Sequence, residues 1–380
     1  MNPLLKDLFL PATRQEIVRA IAKDPFRDES WTAENGCPEL FGTALTLVVC
    51  PTDFAIEIAE RVFRAIENGL YFRDPASINA RRVFSAGGSY WMPDEEVADV
   101  VLVLGETGSG KTHAVKAALQ SLPQVIDRDA IEELGLRSVR QCIWLKVNMT
   151  GIVAIEGLLR GIAGALDAAL GQEGRLSKGL FAGTRTVEAM TDALLRRLKT
   201  QLLGVLVLDE IQKQNFGFDR KDAARLRNLL IGFINTGIPV VLSGNSMAVR
   251  FEELGGDASV GHRGSTESSQ LARRIFKKSP VIYEPPTNAD DQQFRLLVDA
   301  IVRCRLPNIQ VTASKDLYEE IYRATAGFPD FVSQLWAEAN AIARGEDLKV
   351  IDGAIVKRAA DMCPLLRKMR NFVAAFVNRD

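Results

Sequence analysis

A glycine-rich segment contains side chains whose types and spacing could bind a nucleotide. It fits the pattern GxxxxGK[ST] through Gly105, Glu106, Thr107, Gly108, Ser109, Gly110, Lys111 and Thr112. The glycines let backbone N–H groups face phosphate oxygens, and a following helix adds positive potential. Lys111 is placed to reach the β- and γ-phosphates and Thr112 to ligate Mg²⁺. The segment, called the phosphate loop below, therefore predicts binding of ATP with Mg²⁺. The alternative is a glycine turn without a ligand.

Two adjacent carboxylates end an apolar run 98 residues after Lys111. The run reads LGVLVLDE over residues 203–210. Asp209 is predicted to hold Mg²⁺ directly or through water, and Glu210 to polarise the attacking water. Strands also end in acidic residues for solubility alone. The spacing from the phosphate loop favours the catalytic interpretation.

Three more residues are candidates for the same chemistry. The segment GIPVVLSGN, residues 237–245, predicts a strand followed by Asn245, which could orient the water; a simple Ser-Gly-Asn turn is an equal alternative. Arg273 and Arg274 could stabilise transition-state charge in a neighbouring subunit as an arginine finger. The alternative for both arginines is a solvated basic helix face.

The elements that must position these residues alternate between strands and helices, which predicts a parallel α/β sheet covered by helices. Expected strands are 100–104, 142–147, 205–208, 239–242 and 281–283. Expected helices are 111–121, 152–170, 185–202, 221–236 and 247–254. Residues 255–270 are rich in Gly and Ser and predict a flexible break.

Helical patterns alone follow Pro285 and Pro286, at about 289–305, 313–325, 329–344, 352–361 and 364–377. Residues 1–50 show no long regular period, whereas an amphipathic helix is expected after Pro51. The predicted domains are an N-terminal arm and accessory region (1–95), an α/β nucleotide-binding domain (96–286), and an α-helical lid with a tail (287–380).

Composition limits the class of protein. The 380 residues include 47 basic and 48 acidic side chains, so a chain that binds nucleic acid must use local patches. Five scattered cysteines and two histidines argue against a zinc site or an oxidising compartment. No apolar run approaches the roughly 18 residues of a membrane span. We therefore expect a cytoplasmic protein without a membrane partner.

Basic side chains are the candidates for contact with a DNA backbone, although such faces are usually just solvated. The candidates are Arg137, Arg140, Lys146, Arg220 and Lys221.

Several motifs together resemble the TnsC ATPases of bacterial cut-and-paste transposons, which are related to TniB and to the initiator branch of the AAA+ proteins. These motifs are LPQVI after the phosphate-loop helix, LGVLVLDEIQ (203–212), GIPVVLSGN and IENGLYFRDP (66–75). The resemblance covers about residues 45–285. It implies an AAA+ P-loop fold with a helical lid and an N-terminal extension.

The resemblance also implies a function. A bacterial cytoplasmic ATPase of this family would assemble on target double-stranded DNA as a homo-oligomeric ring, hexameric or heptameric, or as a filament. It would couple a target-selection protein or CRISPR effector to a transposase. By position, the resemblance assigns the binding of nucleotide and Mg²⁺ to Lys111 and Thr112. It assigns the metal also to Asp209, the attacking water to Glu210 and the sensor role to Asn245. Arg273 or Arg274 would be the finger.

One position departs from the related AAA+ pattern, because Asp330 stands where many members have a nucleotide-sensing arginine. An initiator, loader or DNA-repair ATPase of the same branch remains an alternative. A metabolic kinase is disfavoured, because the chain offers a helical lid and lacks a lid with several arginines.

Overall fold

The structure is a computed structural model that describes residues 2–27, 40–85, 98–152, 154–172, 174–183, 186–211, 220–245, 278–306 and 308–377. Its contacts divide into two units. The sheet unit comprises Met1–Ile17, Glu57–Gly105 and Ala118–Ile282. The helical unit comprises Val18–Ile56, Glu106–Ala117 and Tyr283–Asp380. The residues before 96 are therefore distributed between both units, and the last change of unit falls between Ile282 and Tyr283.

The α-helices, in chain order, are α1 Arg14–Ile21, α2 Phe41–Leu45, α3 Asp53–Phe72, α4 Ile78–Ser85, α5 Lys111–Gln120, α6 Ile155–Leu170, α7 Arg175–Leu180, α8 Val187–Thr200, α9 Arg220–Asn235, α10 Gln292–Arg303, α11 Lys315–Thr325, α12 Pro329–Gly345, α13 Gly353–Met362 and α14 Pro364–Val377. The strands are β1 Val100–Leu104, β2 Val125–Arg128, β3 Val139–Cys142, β4 Trp144–Asn148, β5 Val205–Ile211, β6 Val240–Gly244, β7 Val281–Ile282, β8 Gln310–Val311 and β9 Val350–Ile351.

The sheet unit is built on a five-stranded parallel sheet in the order β4-β5-β6-β1-β7. The inner strands are continuous apolar runs rather than alternating ones, because both faces of a parallel sheet are buried. Alternate residues such as Leu102, Leu206 and Leu242 join a core with side chains of α6, α8 and α9. This packing fixes the carboxyl ends of β4, β5 and β6 side by side.

One feature of the sheet unit departs from the sequence-based expectations, and a second adds detail to them. The strand expected at 142–147 is split, because Val139–Cys142 pairs antiparallel with Val125–Arg128 before β4 begins at Trp144. The first residues of the chain pack against β2 of the sheet unit. Arg128 donates hydrogen bonds to the carbonyl oxygens of Leu4 (3.1 Å) and Lys6, so that Leu4 is fully buried.

The helical unit has its own apolar core from residues of α10 to α14, with Phe41 and Leu45 of α2. Asp291, Ser314 and Asp352 cap α10, α11 and α13 by accepting backbone N–H groups, which explains where these helices begin. The helices expected after residue 287 are present, together with one short parallel ladder formed by β8 and β9. No helix in the described ranges has the length and apolar character needed to cross a membrane.

Some expectations fall outside the described residues. These are the helix at 247–254, the break at 255–270, and both finger candidates, Arg273 and Arg274.

Candidate nucleotide site

The acidic strand end, defined as Asp209 and Glu210, lies near the end of β5 between two parallel neighbours. Asp209 is fully buried and opposite Asn148 of β4. Its backbone carbonyl accepts a hydrogen bond from Met149 N at 2.8 Å. The strand pairing therefore holds one carboxylate rigidly at the carboxyl edge of the sheet, where ligands of open α/β sheets bind.

A bulge in β5 separates the two carboxylates. The register with β6 shifts between Leu208 and Ile211, and Glu210 has a φ of +57°. A non-glycine residue in this left-handed region stores about 1–3 kcal/mol of strain, and such residues cluster at functional sites. Glu210 N donates to Asp209 Oδ1 at 2.9 Å. The bulge leaves Asp209 buried while Glu210 is only partly buried.

β4 and the residues after it supply a partner to each carboxylate. Lys146 Nζ lies 2.8 Å from Asp209 Oδ2, a contact with the distance of an ion pair but without the angles of a hydrogen bond. The Thr150 hydroxyl donates a hydrogen bond to Glu210 Oε2. Asp209 is thus already neutralised by one cation at the position where Mg²⁺ is expected.

The donor chemistry fits Mg²⁺. A buried carboxylate from Asp209 and a hydroxyl from Thr112 are hard oxygen ligands of the kind that Mg²⁺ uses together with phosphate oxygens and water. Within the described residues, no cluster of three or more His, Cys, Asp and Glu side chains could hold a metal by itself. A magnesium ion bound to Asp209 would take its remaining ligands from phosphate oxygens and water.

The end of β6 places two polar residues beside β5. Ser243 is fully buried, and its Oγ has no hydrogen-bond partner among the described residues. Gly244 accepts a hydrogen bond from Gly105 N at 3.3 Å through its carbonyl. Asn245 follows directly and is partly buried. The end of β6 therefore carries a buried hydroxyl, Ser243, two residues before the predicted water-orienting residue Asn245.

The phosphate loop from Glu106 onward belongs to the helical unit. Gly108 and Gly110 adopt φ values of +85° and +80°, which favour glycine, so the pattern has glycine where the backbone requires it. Lys111 Nζ donates hydrogen bonds to Glu106 O at 2.9 Å and Ser109 Oγ at 3.3 Å. Lys111 and Thr112 open α5, as the pattern predicts.

The first turn of α12, called the lid helix below, packs on this loop within the helical unit. Asp330 N donates to Gly108 O at 3.1 Å. A Cβ at Gly108 would lie 3.0 Å from the Phe331 ring, so only glycine fits the close approach. Pro329 begins the helix, where its missing N–H costs nothing. The residue that replaces the expected arginine therefore lies directly beside the phosphate loop.

A cavity of about 170 Å³, called the α5 cavity below, lies next to this loop within the helical unit. Most of its wall is apolar, and its lining residues include Val48, Phe54, Leu297 and Ile301. His113 Nε2 lies 2.9 Å from Val48 O. Burial lowers the pKa of His113, so its ring is neutral near pH 7 and its Nε2–H donates to that carbonyl.

The basic candidates for DNA contact differ in their surroundings. Arg137 is exposed. Arg140 pairs with Asp127 at 3.1 Å and donates to Leu170 O at 2.6 Å. Lys146 is engaged with Asp209. Arg220 and Lys221 lie in the first turn of α9. Of the first three, which lie near β3 and β4, Arg140 and Lys146 form ion pairs, whereas Arg137 is exposed.

Comparisons with known proteins bear on the fold that carries this site. Residues 95–250 match a family model described as an AAA domain. This match and the parallel sheet with its helical C-terminal region confirm the predicted fold class, an AAA+ P-loop fold. No curated protein sequence matches the chain significantly.

The chain is also similar to solved structures. One is the Aeropyrum pernix ORC2 protein in ADPNP–ADP complexes, at 15% identity over 75% of this chain and 72% of that chain, with a TM-score of 0.47. Another is Drosophila ORC bound to DNA, at 14% identity, 70% and 55% coverage and a TM-score of 0.39. A third is the Thermotoga maritima RuvB Holliday junction branch migration motor, at 15% identity, 73% and 69% coverage and a TM-score of 0.38.

Proposed function

We propose that the AAA-domain match at residues 95–250 marks an ATPase that hydrolyses ATP to ADP and phosphate with Mg²⁺. The observation that carries this proposal is the acidic strand end. A buried Asp209 and a bulged, partly exposed Glu210 sit side by side on a central parallel strand. A structural role alone gives no reason for a strained glutamate beside a fully buried aspartate.

Each residue has a distinct task in the proposed reaction. The loop N–H groups and Lys111 would bind the phosphates, and Thr112 and Asp209 would hold Mg²⁺, which would supply positive charge to the phosphates. Glu210 accepts a proton from the attacking water, and Asn245 orients that water. Arg273 or Arg274 of a neighbouring subunit stabilises the charge that develops on the γ-phosphate.

Two partner exchanges follow from the contacts at the acidic strand end. Direct binding of the metal by Asp209 would require the Lys146 ammonium, which lies 2.8 Å from Asp209 Oδ2, to move away. Glu210 must be released by the Thr150 hydroxyl to accept a proton from water. Both exchanges favour slow, regulated turnover over rapid hydrolysis.

The base of the nucleotide is proposed to enter the α5 cavity. The cavity extends from Ser109 and Gly110 of the phosphate loop to an apolar wall that includes Val48 and Ile301. Ligand pockets of this kind combine an apolar wall with a few polar groups that fix orientation. A flat aromatic base gains from the apolar wall while its phosphates reach the loop.

The proposed biological role is an ATP-switched regulator of DNA transposition. It would assemble as a ring or filament on target duplex DNA and pass the selected site to a transposase. The DEIQ ending of the β5 motif and the IENGLYFRDP segment support this proposal through their resemblance to TnsC. The net charge of −1 is compatible with it, because several subunits can each contribute a few cations to one inner surface.

Electron microscopy of the full chain with duplex DNA tests this role. With a non-hydrolysable ATP analogue we expect rings or filaments on DNA, and without nucleotide we expect none. Lys111→Ala should abolish assembly. Lys116→Ala removes the same charge from an exposed position on the same helix and should not. Assembly that persists unchanged in Lys111→Ala would contradict the proposal.

An initiator, loader or repair ATPase would give the same result in that experiment. The two roles differ in their partners, so genes that neighbour the coding sequence separate them. A neighbouring transposase gene supports the transposition role, and a neighbouring helicase or clamp gene overturns it.

A further inference from the structure

The α5 cavity contains a carboxylate that the proposed ATPase mechanism does not use. Among its described lining residues, Asp330 is the one acidic side chain, and His113 is held neutral by burial. Asp330 lines the cavity and is exposed in this structure, and desolvation by the surrounding protein raises the pKa of its carboxyl. A ligand that fills the cavity shields this carboxylate from water and must then supply hydrogen-bond donors to it.

The position of Asp330 decides which part of a nucleotide it meets. Its backbone N bonds to Gly108 O, so the residue lies at the edge of the phosphate loop. The lining of the same cavity includes apolar side chains such as Val48 and Phe54, which would receive the base. In every nucleotide the sugar joins the base to the phosphates. A group at the junction of loop and apolar wall therefore faces the sugar.

Charge excludes the phosphates as the partner of Asp330. A carboxylate repels phosphate oxygens, whereas an arginine in the same place would attract them. Ribose hydroxyls are neutral donors, and their hydrogen bonds to a charged acceptor are among the stronger ones in proteins. The same pairing of an acidic residue with ribose hydroxyls occurs in dinucleotide-binding folds.

We infer that Asp330 accepts hydrogen bonds from the ribose hydroxyls of the bound nucleotide, so that the lid helix responds to the sugar and not to the γ-phosphate. This inference rests on the proposed nucleotide site. It explains how a lid without an arginine at this position contacts nucleotide at all. It also requires that Asp330 contribute equally to ATP and ADP binding.

Nucleotide affinity, measured by calorimetry on the full chain, tests the inference. The probes are ATP and 2′,3′-dideoxy-ATP, with ADP and its dideoxy form as a second pair. The wild-type chain should prefer each ribonucleotide by about 10- to 100-fold, the range expected for hydrogen bonds to a charged acceptor. Asp330→Ala should reduce both preferences to within about threefold. Asp330→Asn, which keeps an acceptor oxygen without the charge, should fall between.

A matched control separates this contact from a general effect of charge in the helical unit. Asp361 is an exposed carboxylate of α13 that pairs with Arg370 at 3.0 Å, outside the α5 cavity. Asp361→Ala should leave the ribose preference at its wild-type value. Melting curves of both alanine variants verify that the fold is retained.

The possible results separate the inference from the function on which it rests. Equal wild-type affinity for ATP and dideoxy-ATP overturns the inference and leaves the ATPase proposal intact. A preference that persists in Asp330→Ala, or an alanine effect equal on ATP and dideoxy-ATP, overturns it too. An effect on ATP but not on ADP would mean that Asp330 responds to the γ-phosphate. A wild-type chain that binds no nucleotide overturns both proposals.

Discussion

The phosphate loop and the acidic strand end differ in whether their functional groups are available before a ligand binds. The loop is built from glycines with positive φ and is held by the first turn of the lid helix, so its backbone shape exists before any ligand binds. The acidic strand end has its shape fixed by strand pairing, but Asp209 and Glu210 are engaged with Lys146 and Thr150. One region is preorganised for binding, and the other must exchange partners before it can act.

This difference predicts that the two regions control different measurable quantities. Changes in the phosphate loop should alter nucleotide affinity, whereas changes at the acidic strand end should alter turnover or stability with little effect on affinity. The following variants test this difference between the two regions, in order of decreasing expected effect.

Glu210→Gln should lower kcat by about 10²- to 10⁴-fold, because the amide cannot accept the proton of the attacking water. The amide oxygen can still accept the Thr150 hydroxyl, so the local fold is preserved. Phosphate release gives kcat, and a fluorescent nucleotide gives affinity, which should remain at the wild-type value. Glu156→Gln, which changes an exposed carboxylate of α6, serves as the control. Turnover close to wild type in Glu210→Gln would remove Glu210 from its catalytic role.

Lys111→Ala should weaken ATP binding by about 100-fold, since two charge-assisted hydrogen bonds to phosphate are lost. In the free protein Lys111 bonds to Glu106 O and Ser109 Oγ, contacts that are replaceable by water in the variant. The fold should therefore persist, which a melting curve can verify. If ATP affinity is unchanged, phosphates do not bind at this loop.

Lys146→Met should destabilise the protein without nucleotide by about 2 kcal/mol, because the fully buried Asp209 loses its cation. Magnesium and ATP should recover most of that loss, since the metal then takes the place of the ammonium. Chemical denaturation with and without Mg²⁺ and ATP measures both values. A loss that ligands do not recover would mean that Asp209 does not bind the metal.

His113 should give the smallest effect, a pH dependence in the helical unit. Burial lowers the pKa of His113 below its usual value of 6.5. Below pH 6.5 the unfolded chain therefore binds a proton that the folded chain does not, and stability falls as the pH falls. The slope is at most about 1.4 kcal/mol per pH unit.

Charged neighbours also affect the titration of His113, and a variant of His113 itself serves as the control. Lys23 and Lys116 lower its pKa further, whereas Asp330 raises it. The raised pKa of Asp330 acts in the opposite direction, adding stability as the pH falls toward 3.8. His113→Gln keeps a donor for Val48 O and should flatten the slope just below pH 6.5. An unchanged slope would assign the titration to another group.

Local patterns in the sequence predict the parts of this site that depend on local backbone chemistry. The GxxxxGK[ST] pattern predicts a loop whose backbone N–H groups face phosphates, followed by a helix from Lys111. Gly108 and Gly110 have positive φ, and the helix begins at Lys111. The apolar runs predict β1, β5 and β6 because buried parallel strands need no alternation. These features depend on neighbours within a few residues.

The remaining features depend on residues that are far apart in the chain. Thr150 lies 60 residues from Glu210, and Arg128 lies 124 residues from Leu4, so no periodicity reveals either hydrogen bond. The left-handed conformation of Glu210 arises from a register shift against β6, which no residue type signals. The sequence indicates Lys146 only as a candidate DNA contact, because its strand position does not reveal that it reaches Asp209.

The most direct test of the account is a structure of the full chain with Mg²⁺, a non-hydrolysable ATP analogue and duplex DNA, determined by electron microscopy. The account predicts that Asp209 contacts the metal, that Lys146 has left Asp209, and that the phosphates lie on the loop N–H groups beside Lys111. A bound nucleotide with Lys146 still paired to Asp209 and the metal held elsewhere would contradict it.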